Sequence, residues 1–313
     1  MATSNISLIS SGIFYIIIGF WWHLQITQRY WYSKQQKTEF SSSVTYTCCN
    51  RCKKFPLEGL FKLIFSVTIC ACSIYQIQVW KDTSEQNQAI GQLTVFCLMG
   101  MSAVCDIILI WCNKILFPGL DYILIVVCFN VQSVVLSYHN TQQTSWIGVA
   151  DTCGMYAASI CAIAILLEFK FKTKIWFPLL RCLSTVVLGT WFVHMYIVLT
   201  NQYYTEDNET TEKVSTLNQF NIEIDVNVTA TNDNVEYYQN EEITNLSLVP
   251  MYFTWHCLVN MNILIILWLL SWKLADKNCC CFQEEEEVVT RFENRVHFDY
   301  HLITHMTDSD NEP

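Results

Sequence analysis

The residues IWFPLLRCLSTVVLGTWFVHMYIVLT (175–200) form an apolar stretch in which Arg181 is the only Lys, Arg, Asp or Glu. A helix of about 20 apolar residues crosses a hydrocarbon core of about 30 Å, so this stretch is long enough to span a membrane. Lys170, Lys172 and Lys174 precede it, and a long acidic segment follows it. Its two ends therefore differ in charge, as the two sides of a membrane protein do.

Six further stretches have the same character. The seven predicted spans are 6–25, 56–80, 89–112, 116–138, 145–168, 175–200 and 248–272. Charged residues make up only 15% of the chain, against about 25% in soluble domains. The sequence predicts an all-α membrane protein with a seven-helix transmembrane domain over 1–275 and a disordered cytosolic tail over 276–313. A soluble helical protein and a cleaved signal peptide at 6–25 are the alternatives; no basic segment precedes 6–25 and no small-residue cleavage site follows it.

Aromatic residues cluster near the predicted helix ends, where a ring can be buried while its polar group stays hydrated. We expect these residues at the headgroup boundary: Trp21, Trp22, Trp31, Tyr32, Trp80, Trp146, Trp176, Trp268 and Trp272.

The loop charges predict the orientation. Lys and Arg are retained in cytoplasmic loops, and the even-numbered loops carry only Lys81 and Lys213. The odd-numbered loops and the tail carry the other Lys and Arg residues that lie outside the spans: Arg29, Lys34, Lys37, Arg51, Lys53, Lys54, Lys114, Lys170, Lys172, Lys174, Lys273, Lys277, Arg291 and Arg295. The N-terminus is therefore predicted to be luminal or extracellular and the C-terminus cytosolic.

The segment 201–247 agrees with this orientation. It is acidic and carries three N-glycosylation sequons, at Asn208, Asn227 and Asn245. A sequon is used only on the luminal side. We expect a mobile, glycosylated outer loop, with Asn245 modified less because it lies close to the membrane.

Two cysteine groups and one short motif fall on the predicted cytosolic side. Cysteines close to a membrane helix are candidates for S-palmitoylation: Cys279, Cys280, Cys281, Cys48, Cys49 and Cys52. For Cys48, Cys49 and Cys52, zinc binding is the alternative. Tyr300 and Ile303 fit the Tyr-x-x-bulky pattern of a sorting signal.

Six charged residues fall in the cytosolic half of the predicted spans: Glu58, Lys62, Asp106, Asp121, Glu168 and Arg181. Each would cost about 2.5–3.5 kcal/mol facing lipid, so they should point inward and pair. Lys62 should pair with Glu58, four residues away on one helix face, and Arg181 with Asp106 or Asp121. This layer is either a polar floor of a binding site or a network that fixes the helix register.

The outer half carries a second set of polar residues: Gln92, His139, Asp151, His194, His256 and Asn260. Histidines and a carboxylate could hold zinc, and two histidines could hold haem. Neither pattern is specific, and single hydrogen-bonded histidines are the favoured interpretation. We predict no catalytic residues, no metal and no cofactor.

Several segments resemble the transmembrane protein 45 family (domain of unknown function family 716), which includes the transmembrane epididymal proteins. They occur in order along the chain: Ser11 to Trp22, Glu58 to Lys62, Phe65 to Thr68, Gln92, Ser102 to Asp106, Leu120-Asp121, Leu167-Glu168, Arg181, Gly189 to Phe192 and Trp255-His256. The chain departs from the family pattern at Leu93, where the pattern has His, and at Val131, where it has Glu. Both departures count against a metal or haem site built from outer histidines.

The resemblance implies a seven-span protein of secretory and endosomal membranes without an established activity. Our first hypothesis is a non-enzymatic protein of the Golgi, endosomal or plasma membrane that acts through unidentified protein partners, with no nucleic-acid partner. The second is a transporter or lipid-binding protein that uses the charged layer. The third is a metal-dependent hydrolase or redox protein that uses Asp151, His194 and His256.

Overall fold

The computed structural model describes residues 6–46, 55–79, 84–111, 119–142, 146–220 and 232–276; over 84–85, 141–142, 201–220, 232–247 and 274–276 it describes the backbone alone. The regular elements in these ranges are seven α-helices: α1 (Ile6–Gln36), α2 (Leu57–Val79), α3 (Ser84–Trp111), α4 (Leu120–Gln142), α5 (Trp146–Lys170), α6 (Trp176–Phe220) and α7 (Asn232–Asp276). All seven contain a segment long and apolar enough to cross a membrane.

Helices α1, α6 and α7 extend furthest beyond the predicted spans. Helix α1 continues to Gln36, so Arg29 and Lys34 lie on its last turns and not in a loop. Helix α6 continues to Phe220, and α7 begins at Asn232, so both enter the segment predicted as a loop. Extending a helix that is already nucleated costs far less than starting one, and hydropathy alone does not detect such polar extensions.

Helices α1 to α6 pack in a closed ring. Along the chain α2, α3, α4, α5 and α6 form an arc in which each packs against the next, and α1 closes the arc between α6 and α2. Helix α7 packs against α1, α5 and α6, and most of its apolar side chains are exposed. At the centre, Phe14 and Tyr15 make ring contacts of 5.5–6.1 Å with Phe side chains from four helices: Phe61, Phe65, Phe96, Phe129 and Phe192.

The surface of the bundle is apolar and part of its interior is polar. On α2, Ile64 and Val67 are more than 60% exposed. The opposite, buried face of the same helix carries mostly polar side chains: Glu58, Lys62, Ser66, Ser73 and Gln76. This distribution suits a helix whose outer face meets lipid, because lipid does not drive apolar side chains inward.

Candidate functional site: the buried charged layer

Lys62 lies between two carboxylates. Its Nζ is 2.7 Å from Glu58 Oε1, one turn earlier on α2, and 2.8 Å from Asp106 Oδ2 on α3. All three side chains are fully buried. The predicted Lys62–Glu58 pair is therefore confirmed, and Lys62 additionally joins α2 to α3.

Arg181 has a different partner from the one predicted. Its Nη1 is 3.1 Å from Glu168 Oε2 on α5, and both side chains are fully buried. The predicted pairing with Asp106 or Asp121 is wrong, because Asp106 binds Lys62 and the short turn between α5 and α6 brings Glu168 to Arg181. Asp121 is half-buried in the first turn of α4, where a helix N-terminus favours a negative charge.

Trp22 of α1 joins the two ion-paired groups. Its indole Nε1 donates a hydrogen bond of 2.9 Å to Glu58 Oε1. The Arg181 guanidinium lies 4.7 Å from the centre of its ring and the Lys62 ammonium 5.5 Å, within the range of cation–π attraction. Trp22 is fully buried, so its indole N–H is bound to Glu58 and is not hydrated as predicted. The extension of α1 to Gln36 puts this residue in mid-helix.

Residues 38–46, which we call the covering segment, close one end of the layer. Ser42 Oγ donates to Glu168 Oε1 (2.6 Å), and Thr45 Oγ1 donates to Asp106 Oδ1 (3.0 Å). The Tyr46 backbone N–H donates to Glu58 Oε2 (3.0 Å). The segment therefore supplies a hydrogen bond to each of the three paired carboxylates.

Sequence reasoning missed the covering segment, although a signal was present. Phe40, Ser42, Val44 and Tyr46 are buried, and the residues between them are less so. This alternation with period two is typical of an extended chain with one buried face. Val44 and Tyr46 have no exposed surface, which makes this segment part of the core and not a free loop.

Tyr46 contributes a neutral hydroxyl to the layer. The hydroxyl accepts a hydrogen bond of 3.4 Å from Arg181 Nη2. Burial raises the pKa of Tyr46 above its ordinary value, and this effect outweighs the opposing influence of the Arg181 guanidinium. Tyr46 therefore adds no charge to the layer at neutral pH.

The outer polar residues do not form one cluster. His139 Nδ1 lies 2.5 Å from Asp151 Oδ2 and pairs α4 with α5. Gln92 Oε1 accepts a hydrogen bond of 3.1 Å from Ser11, and Asn260 Nδ2 donates one of 2.8 Å to Thr190. These contacts each join two neighbouring helices.

His194 and His256 are the one close histidine pair among the predicted residues. Their ring centres are 5.0 Å apart, and each ring also lies 5.6 Å from the Trp191 ring. Among the residues that the structure describes, no three His, Cys, Asp or Glu side chains are grouped as metal ligands would be. The third hypothesis places Asp151 with these two histidines. In the structure the two imidazoles contact each other, whereas the Asp151 carboxylate pairs with His139.

Sequence reasoning also missed several buried polar groups. The hydroxyls of Ser66, Ser73 and Ser102 and the Nε2 of Gln132 are buried without a hydrogen-bond partner among the described residues. His23 is 2% exposed on α1 and was not singled out. These residues attract no attention in a sequence, because an isolated serine in an apolar helix is usually a packing residue.

Some predicted sites lie outside the described residues. These are the sequon at Asn227, the palmitoylation candidates Cys48, Cys49, Cys52, Cys279, Cys280 and Cys281, and the sorting-signal residues Tyr300 and Ile303. Asn208 and Asn245 lie on the helical backbone of α6 and α7.

The helices and the buried charges together define the class: an all-helical, multi-pass membrane protein with an ion-paired interior. Residues 118–269, from the start of α4 to near the end of α7, match the family described as a family of unknown function (DUF716). The chain is similar to this family over these residues, and the match confirms the resemblance. The quoted segments of α1, α2 and α3 precede the matched residues.

Proposed function

We propose that the protein is a non-enzymatic membrane protein of Golgi, endosomal or plasma membranes, that it acts through protein partners, and that the charged layer fixes its helix register. The observation that supports this proposal is that most charged side chains of the layer are buried and paired. Lys62 pairs with Glu58 and Asp106, Arg181 pairs with Glu168, and the covering segment donates a hydrogen bond to each of the three carboxylates. A buried pair of this kind specifies an arrangement more than it adds stability.

The proposed orientation places the N-terminus and 201–247 on the luminal or extracellular side. It is supported by the distribution of Lys and Arg and by the three sequons. Removing N-glycans enzymatically should increase the electrophoretic mobility of the protein, and the N208Q/N227Q double variant should lose most of that shift. Cleavage within 201–247 by protease in cells whose plasma membrane alone is permeabilised, without cleavage in intact cells, would contradict the orientation.

Partner binding can be tested by proximity labelling in intact cells. The labelling enzyme would be fused to the full chain, to a chain truncated after Phe282, and to the charge-neutral Arg181→Met/Glu168→Leu variant. We expect a reproducible partner set that the truncation reduces and the neutral variant retains. No enrichment over an unrelated seven-span protein of the same membrane would contradict the proposal.

A transporter or lipid-binding function is the second candidate. The unpartnered hydroxyls of Ser66 and Ser102 favour it, because buried polar groups normally have a protein or water partner. Asp106→Asn would then fold and reach the membrane but lose solute uptake or lipid binding. The first candidate predicts that uptake and lipid binding equal those of protein-free vesicles in both the wild type and this variant.

A further inference from the structure

The buried group formed by Lys62, Glu58 and Asp106 has a net negative charge when all three side chains are ionised. Lys62 supplies one positive charge, whereas Glu58 and Asp106 supply two negative charges, and none of the three side chains is exposed. The other buried cation, Arg181, is balanced by Glu168. An uncompensated charge inside a membrane protein is costly, and such groups commonly neutralise by binding a proton.

Glu58 has no site for that proton. Its Oε1 accepts from Trp22 Nε1 (2.9 Å) and from Lys62 Nζ (2.7 Å). Its Oε2 accepts from Trp21 Nε1 (3.2 Å) and from the Tyr46 backbone N–H (3.0 Å). An indole N–H, an amide N–H and an ammonium only donate, and a carboxylate offers about four lone-pair sites. All four sites face donors, so a proton on Glu58 would have no acceptor.

Asp106 differs at one oxygen. Its Oδ2 faces Lys62, but its Oδ1 lies 3.0 Å from the Thr45 hydroxyl. A hydroxyl can accept as well as donate, so a proton on Asp106 can be donated to Thr45 without moving a heavy atom.

The other titratable groups near Asp106 do not supply the missing charge. Asp121 of α4 adds negative charge, and Cys105 of α3 and Cys128 of α4 are thiols that carry none when protonated. From α2 only Glu58 and Lys62 act on Asp106. The surroundings therefore favour the neutral form of this carboxyl.

Two unpartnered hydroxyls lie one turn further into the bundle. Ser66 follows Lys62 by four residues on α2, and Ser102 precedes Asp106 by four on α3. Both are at most 2% exposed, and neither has a hydrogen-bond partner among the described residues. Groups of this kind usually bind ordered water.

From this geometry we propose that Asp106 is a proton-binding site within the membrane. At neutral pH its carboxyl is protonated and donates to Thr45. The Ser66 and Ser102 hydroxyls bind an ordered water molecule near this carboxyl. This proposal goes beyond the partner function above and does not depend on it.

Infrared difference spectroscopy of the purified full chain in lipid nanodiscs tests the proposal. The wild type at pH 7 should show a protonated-carboxyl C=O band that Asp106→Asn removes, equivalent to one carboxyl per chain. Glu58→Gln should remove the same band, because Asp106 and Lys62 then balance and the proton leaves. Asp121→Asn is the matched control and should keep it.

Thr45→Val covers the case in which Asp106→Asn does not fold. It removes the acceptor of the Asp106 proton, so the band should shift to higher frequency. A wild-type spectrum without a carboxyl band that responds to Asp106→Asn, Glu58→Gln or Thr45→Val would overturn the proposal. A band that survives Glu58→Gln would overturn the charge-balance argument on which it rests.

Discussion

At the scale of single residues, Trp22 determines how Glu58 is buried. A buried carboxylate needs donors at each lone pair, and Trp22 supplies one of them while its ring faces two cations. The residue therefore combines a charged hydrogen bond with cation–π contacts. A second buried indole, Trp191, donates instead to the neutral carbonyl of Ala150 at 2.9 Å.

These two tryptophans give a matched prediction. Trp22→Phe keeps most of the ring but leaves Glu58 one donor short, and it should lower the free energy of unfolding by about 1.5–3 kcal/mol. Trp191→Phe removes a bond between neutral groups and should cost about 0.5–1.5 kcal/mol. Unfolding in detergent micelles measures both. Equal losses would show that the charge on Glu58 does not matter to Trp22.

Residue-level contacts were predictable only where one helix determines them. Glu58 and Lys62 are four apart, so their pairing follows from the helical repeat. The partner of Arg181 depends on how α5 and α6 are rotated about their own axes. Sequence spacing contains no information on that rotation, and three carboxylates at a similar depth were available.

At the scale of elements, α1 and α6 are held by a close backbone contact. A Cβ on Gly189 would lie 2.7 Å from both the Gly12 carbonyl oxygen and the Ile16 nitrogen. A Cβ on Gly12 would lie 2.9 Å from the Gly189 oxygen. Small residues allow such approach between membrane helices, and this approach sets Trp22 of α1 beside Arg181 of α6.

Gly189→Ala should therefore force α1 and α6 apart and lower the free energy of unfolding by about 1–3 kcal/mol. Gly100→Ala on α3 is the control, because its Cβ would meet only Ser66 Cβ at an ordinary 3.5 Å. Thermal unfolding of both variants in micelles is the measurement. If Gly189→Ala is as stable as Gly100→Ala, the close contact is not a determinant of the packing.

The covering segment should behave as core. Val44→Asp would bury a negative charge that has no cationic partner, and we expect a loss of about 3 kcal/mol, similar to that of an acid within a span. Thr38→Asp, at an exposed position of the same segment, should be neutral. Folded yield by size-exclusion chromatography distinguishes them. Equal yields would mean that the segment does not cover the layer.

The elements themselves were largely predictable. Seven apolar stretches are a strong signal, because every backbone polar group in lipid must be satisfied within a helix or a closed barrel. The extensions of α1, α6 and α7 were not, since polar helical turns outside a membrane have no hydropathy signal. The covering segment was not predicted to be buried, because it is extended, short and rich in serine.

At the scale of the whole molecule, the charged layer links most of the bundle. Lys62 and Asp106 join α2 to α3, and Glu168 and Arg181 join α5 to α6. Trp22 of α1 bridges the two groups, and the covering segment closes them. Because α1 lies between α6 and α2, one layer joins five helices, and we propose that it fixes their relative register.

A double-mutant cycle on Arg181 and Glu168 tests this central claim most directly. Arg181→Met and Glu168→Leu should each lower the free energy of unfolding in micelles by about 3–5 kcal/mol, because each leaves a buried charge unpaired. The double variant leaves neither, so it should lose much less than the sum and give a coupling energy of about 3 kcal/mol. Losses that add to within about 0.5 kcal/mol would contradict the claim, since they would mean that the two charges do not depend on each other.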